Sequence, residues 1–298
     1  MRCDGETAQK LERELLLGTV NHTLFGDDTI VKEYIPVTPH RYFVPFDIEV
    51  KQEHAGASLG HQFIPAICDL EQDFHKLGKS LFGVDRTSMR HEMDFKAEIL
   101  GDILPVRQIG FSLYCCPTQD IVHIMKMEDM FTAMLDYPEL FHRMMSMLAT
   151  DYLAFFNLLE TENVFLPMVD ECHLCQGSYS YTDEIPQQGA GLKTADIWGY
   201  MDSQETSGVS PTMFAEHIAP HYKRIAERTV CCHTAAVTRL PLFGTVFSPT
   251  LIIFGRSRYR RGWMKRSWES SCRGKTLCIC VNPLLIFSAW VLSWTSRP

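Results

Sequence analysis

The sequence predicts a parallel α/β fold of the (β/α)-barrel kind over residues 1–228. Two observations carry this. Strand-like apolar runs alternate with long helical stretches, the pattern of a parallel sheet covered by helices. Two polar sets, Asp170-Glu171 and Ser203–Thr206, each follow a strand-like run, "NVFLPMV" (163–169) and "TADIWGYM" (194–201). The carboxyl ends of such strands are where parallel folds place their chemistry. No fixed-period repeat and no glycine-rich phosphate loop accompanies them.

The elements follow in order. "TAQKLERELLLGT" (7–19) has helical spacing with Leu11, Leu15 and Leu16 on one face, and "DDTIVKEYIPV" (27–37) reads as a strand ending at a proline turn. "DRTSMRHEMDFKAEILGD" (85–102) is a polar helix, and "LPVRQIGFSLY" (104–114) alternates like a strand. Helices are expected over about 119–135 and 137–161, the second opened by Pro138, whose missing N–H costs nothing in a first turn. Phe141, Met145, Leu148, Tyr152, Phe155 and Leu159 recur along it as a core stripe. "NVFLPMV" fits a strand buried on both faces. Ser210-Pro211 starts a helix over about 210–227 with Phe214, Ile218, Tyr222 and Ile225 inward. The adjacent Cys115 and Cys116 are packing residues that a strand would send to opposite faces.

The charge is unevenly spread. Residues 1–228 hold 18 basic and 35 acidic residues, a formal charge of −17, whereas residues 229–298 hold 10 basic residues and one acid, Glu269, a charge of +9. The tail also holds four of the five tryptophans and five of the eleven cysteines. An acidic head gives no footing for nucleic acid. An odd cysteine count without a basic flank and apolar run at the N-terminus argues for reduced thiols in the cytoplasm.

In the head, "FGDDTIVKEYIPV", "DLEQDFHKL", "GDILPVRQIG", "MEDMFTAMLDYPELFHRMM", "YTDEIPQ" and "SQETSGVSPTMFAEHIAPHYKRIAER" come in an order that resembles the uroporphyrinogen decarboxylase superfamily. That superfamily includes the decarboxylase of haem biosynthesis and the cobalamin-dependent methyltransferases. The resemblance implies a (β/α)8 TIM barrel, incomplete here because the chain begins inside the family pattern. The decarboxylase's arginine-rich motif, of the form RQAGRY, is absent, so the head is more similar to the methyltransferase-like branch.

The family continues beyond "APHYKRIAER" with segments like "YGCCDP", "IRKVSVSPWVDEE" and "DFVYLRKPSP", none of which is present as printed. They emerge when each codon's third base is joined to the first two bases of the next. "HTAAVTR", "SRYRRGWMKRS" and "KTLCICVNPLL" then permit the three segments in order. One step is forced. Tryptophan and methionine have single codons, so Trp263-Met264-Lys265 must read Asp-Glu in that frame. Residues 229–298 are therefore expected to be an out-of-frame tail with no independent domain, shifted near Arg228-Thr229. The apolar run "TLCICVNPLLIFSAWVLSW" (276–294) has nearly the length of a membrane span, and on this reading is an accident of frame.

Candidate residues cluster after the two strand-like runs. Asp170, Glu171 and Tyr181 are candidate catalytic groups, able to serve as acid, base or hydrogen-bond donor. Asp183, Glu184, Gln204 and Glu205 are candidate substrate contacts, with loop capping as the structural alternative. Cys172, His173 and Cys175 form a CxxC with a histidine inside, either metal ligands or free thiols in a loop. The resemblance implies a parent enzyme that transfers methyl groups with a corrinoid protein, using zinc to turn a small-molecule thiol into thiolate. Two alternatives stay open: a tetrapyrrole decarboxylase needing no metal, and a basic-tailed, membrane-associated non-enzyme. The chain itself is expected to be inactive. Sequencing codons 225–235 should yield a single-base restoration that returns Tyr-Gly-Cys-Cys-Asp-Pro and Asp-Glu together; a restored frame giving only one of them sinks the reading.

Overall fold

The computed structural model of the chain describes residues 2–26, 31–54, 61–168, 185–186, 188–228, 231–234 and 251–253. Its first elements are α1 (Glu6–Val20), β1 (Ile35–Val37), β2 (Arg41–Val44), β3 (Lys51–His54), β4 (His61–Ile64), α2 (Leu70–Asp73) and β5 (Leu81–Val84). Then come α3 (Arg86–Leu100), β6 (Val106–Gln108), β7 (Leu113–Tyr114), α4 (Pro117–Ile124), α5 (Met127–Asp136) and α6 (Pro138–Thr161). The last are β8 (Trp198–Tyr200), α7 (Pro211–His217), α8 (Ala219–Ala226), β9 (Cys231–Thr234) and β10 (Leu251–Ile253). The fold is mixed α/β, its strands lie in small sheets, and no closed barrel is formed among the described residues.

Among the described residues, 2–37 and 90–108 make one compact unit, and those of 38–89 and 109–253 make a second. In the first, β1 and β6 pair in parallel with Ile35 opposite Val106. Lys96 on α3 is 5% exposed, and its ammonium bonds Glu14 of α1 at 2.9 Å, Glu92 at 2.9 Å and the Pro36 carbonyl at 3.3 Å. Burial pulls this ammonium's pKa down, and the bonds to Glu14 and Glu92 outweigh it, so the group ends above its ordinary value. Of the face expected on α1, Leu11 is buried, while Leu15 and Leu16 are 39% and 43% exposed, so the helix buries a narrower stripe than its spacing offers.

In the second unit four parallel strands stand in the order β10-β9-β8-β7. β9 and β10 fall within the segment read as out of frame; β9 pairs in parallel with β8, and β10 in parallel with β9. The apolar run 276–294 lies outside the described residues. No helix among the described residues is long and apolar enough to cross a membrane. Two antiparallel pairs, β2 with β5 and β3 with β4, complete the strands.

The core is organised on α6. All six expected stripe residues are buried, and Met144, Ala149 and Phe156 widen the stripe. Each large apolar side chain so buried contributes about 1.5–3 kcal/mol relative to exposure. Cys115 and Cys116 are both buried, each 1% exposed.

Three expected elements are corrected. The helix expected over 119–135 is two helices, α4 and α5. The Ile124 carbonyl accepts from the Ala66 and Ile67 amides at 2.7 and 2.9 Å, and Met125 is extended (φ −137°, ψ 143°), so the ladder stops there. The helix expected over 210–227 is likewise two, α7 and α8. Pro220 in the first turn of α8 lacks an N–H and cannot continue the α7 ladder, and Ile218 departs from helical angles (φ −115°, ψ −51°). The "NVFLPMV" segment is not a strand. Asn163 turns left-handed (φ 50°), and Val164, Phe165 and Met168 are buried without a ladder that Pro167 could not complete. Gly110 lies against this segment so closely that a Cβ there would stand 2.8 Å from the carbonyl oxygens of Leu166 and Pro167.

Truncating the buried cation tests the first unit. Lys96→Ala should cost about 1–3 kcal/mol, because the two carboxylates it leaves are partly exposed. Amide exchange at Ile35, whose N–H donates to the Pro105 carbonyl, should accelerate accordingly. Unchanged exchange would show that the ion triad does not support the β1–β6 pair.

Candidate functional site

The β7–β8 pair brings two chain segments to one end of the parallel sheet. Tyr114 is in register with Tyr200, and the Cys115 amide donates to the Tyr200 carbonyl at 2.9 Å. Past that point the first segment, Cys116-Pro117-Thr118, turns into α4, with proline in its first turn. The second, Met201-Asp202-Ser203, turns into a short 3-10 helix, Gln204–Thr206.

The first amides of a helix have no partner within it. In α4 that of Thr118 donates to the Tyr222 hydroxyl at 3.0 Å, and this hydroxyl donates to the Asp202 carbonyl at 2.8 Å. The Thr118 hydroxyl stands 2.8 Å from Tyr222 Oη and 2.9 Å from Ser203 Oγ, and donates to Glu205 Oε2 at 3.0 Å. Ser203 Oγ lies 2.9 Å from Thr206 Oγ1, and the Ser203 amide donates to Asp202 Oδ1 at 2.9 Å. Two residues along α4, Asp120 accepts a hydrogen bond from the Tyr152 hydroxyl of α6. Thr118, Asp202, Ser203, Thr206 and Tyr222 are all buried, and Glu205 is half-buried.

Burial dominates the electrostatics. Asp120 keeps an accessible edge, but protein atoms surround its carboxyl, and burial pushes its pKa up to about 7. The Tyr152 hydroxyl opposes that rise, and the Glu205 charge adds to it. Glu205 is also raised, by burial first, with Asp202 adding to the effect. The Cys116 thiol is pushed well up by burial, and the Asp202 and Asp120 charges reinforce this, so it stays a neutral thiol rather than a nucleophile. The ensemble is a buried set of hydroxyls beside the Asp120 carboxyl, which exchanges a proton near neutral pH, the equipment of general acid–base chemistry.

Of the residues expected from sequence, Glu205 joins this cluster and Gln204, its neighbour, is exposed outside it. Asp170, Glu171, Tyr181, Asp183, Glu184, Cys172, His173 and Cys175 lie outside the described residues. Among the described residues no group of three or more His, Cys, Asp or Glu side chains converges as a metal site. Sequence reasoning missed Thr118, Asp120 and Asp202. The signal was present: Cys115–Thr118 follows a strand just as Asp170 follows an apolar run, and Pro117 marks the helix that starts there. A surface recess of about 400 Å³ beside Lys79, Arg143 and Thr150 is lined by none of the cluster's residues.

No protein-family model matches the chain, and no curated protein or solved structure is significantly similar to it.

The raised Asp120 pKa has a definite sign for stability. Folding disfavours ionisation of Asp120, so its contribution is fully present below about pH 3.8 and is lost as pH rises to about 7. Asp120→Asn keeps an oxygen to accept from Tyr152 and removes the ionisation. It should raise the thermal midpoint at pH 8 by a few degrees, worth about 1–2 kcal/mol, and leave it unchanged at pH 4. An equal effect at both pH values would mean that the carboxyl is not strained by ionisation.

Proposed function

We propose that the chain derives from an enzyme of the uroporphyrinogen decarboxylase-like superfamily, an incomplete (β/α)8 barrel with its site at the carboxyl ends of β7 and β8. The parent activity on this reading is methyl transfer from a corrinoid protein to a small-molecule thiol in the cytoplasm. The observation that supports it is the buried Thr118–Ser203–Glu205–Tyr222 cluster with Asp120 beside it, at the ends of adjacent parallel strands.

A thiol must lose its proton before its sulfur can accept a methyl group. Asp120 is suited to take that proton at neutral pH, while the Thr118 and Ser203 hydroxyls bond each other and brace the two strand-end turns beside it. Zinc, when bound in enzymes of this kind, lowers the thiol's pKa. The described residues provide no set of ligands for it, and the Cys172, His173 and Cys175 candidates lie outside them, so no step is assigned to it. The tetrapyrrole decarboxylase reading is less well supported. Asp120, Asp202 and Glu205 would repel a polycarboxylate, and the arginine-rich motif that would hold one is absent from the sequence.

The chain as it stands should be inactive, because the segments that complete the site fall in the out-of-frame tail. The frame-restored protein should transfer methyl groups from methylcobalamin to a thiol, and Glu205→Gln should reduce kcat by about 100-fold without loss of fold. Carbon dioxide release from uroporphyrinogen without methyl transfer would instead establish the decarboxylase. Absence of both activities in a folded, restored protein would overturn the superfamily reading.

A further inference from the structure

Three histidines from three helices meet on the side of α8 that faces α6. His142 of α6 stands between His217 of α7 and His221 of α8, with ring centroids 5.1 and 5.5 Å away. His142 Nδ1 is 3.2 Å from His221 Nε2, so one ring donates and the other accepts. His217 and His221 are 6% and 7% exposed, and their Nδ1 atoms have no hydrogen-bond partner among the described residues. Leaving buried donors or acceptors unpaired is costly, and natural proteins seldom keep them without a use. His221 is followed directly by Tyr222, whose hydroxyl receives the Thr118 amide in the strand-end cluster.

We propose that the His217–His142–His221 row is a proton-operated latch, which holds α8 on α6 and so keeps Tyr222 seated in the cluster while the rings are neutral. When His221 is protonated both its ring nitrogens carry N–H, so it can no longer accept from His142, and its buried Nδ1–H finds no acceptor among the described residues. The groups facing His221 are His142 from α6, with His217 from α7 beyond it, and Arg224 from its own helix. None of them is a carboxylate, so no opposite charge among these neighbours favours a proton at His221. Arg224 meanwhile bonds the Ser146 and Thr150 hydroxyls of α6, which keeps its charge in this interface.

The direction follows from the proton affinity. Burial, then His142 and Arg224, lower the His221 pKa to about 4. A histidine depressed in the folded state contributes its stability above its unfolded pKa of about 6.5 and loses it as pH falls toward the folded value. This is opposite in sign to the contribution of Asp120, so histidine variants isolate it. The latch regulates the site only if the strand-end cluster is the functional one, but its operation can be read without any activity.

The test is hydrogen exchange at the Thr118 amide in the full chain, corrected for the intrinsic rate, between pH 7 and pH 4.5. Protection in the unmodified protein should fall by about tenfold or more across that range. It should stay level in His221→Gln and fall by less in His142→Gln, a change at a half-buried position that leaves the burial of His221 in place. Level protection in the unmodified protein, or an equal fall in both variants, overturns the latch. An acid-sensitive Thr118 amide in a frame-restored protein without methyl transfer would leave the latch standing and remove only the functional reading.

Discussion

The Tyr222 hydroxyl is the point on which the described site depends. It receives the Thr118 amide and gives its own proton to the Asp202 carbonyl, so a single oxygen joins the turn after β7, the turn after β8, and α8. Each partner is a backbone group. The Thr118 amide has no partner within α4 because it lies in that helix's first turn. A hydroxyl on a rigid ring, delivered from a third element, satisfies both. Phenylalanine at 222 would fill the same volume and satisfy neither.

Around this oxygen the charges run one way. The Glu205 charge adds to the raised proton affinity of Asp120, and the Asp202 charge to that of Glu205. Lys96, in the other compact unit, shows the converse arrangement, where one buried ammonium is shared by Glu14 and Glu92 and keeps its proton in spite of burial. Both are buried ionisable groups in one chain. The first is poised to change its charge near neutral pH and the second is fixed, which separates a group available for chemistry from one committed to structure.

Much of this was legible in the residues. Helical spacing and a first-turn proline identified α6 and its buried stripe, and Ser210-Pro211 the start of α7. Breaks inside helices were not legible where their cause is distant: α4 ends because Ala66 and Ile67, some sixty positions earlier, take the Ile124 carbonyl. Pro220 was local and readable, and the apolar period across it hid the break. "NVFLPMV" has strand composition, but burial without pairing produces the same composition. Glu205 was found because it follows a strand, and Asp120 was overlooked because it sits within a helix, where a lone carboxylate is ordinarily a solvated surface group. It becomes a buried acid through residues distant in sequence, Tyr152 among them, thirty-two positions on.

The contact of Gly110 with the Leu166 and Pro167 carbonyls bears on how this protein tolerates change. Those two residues belong to the stretch that carries Val164, Phe165 and Met168 into the core, and the Phe165 ring packs against Phe111 with centroids 5.6 Å apart. A side chain of any size at 110 would lift that stretch and withdraw its apolar groups from their neighbours. Added volume at this one position would therefore act as lost volume in the core, and a change to alanine would resemble the emptying of a cavity.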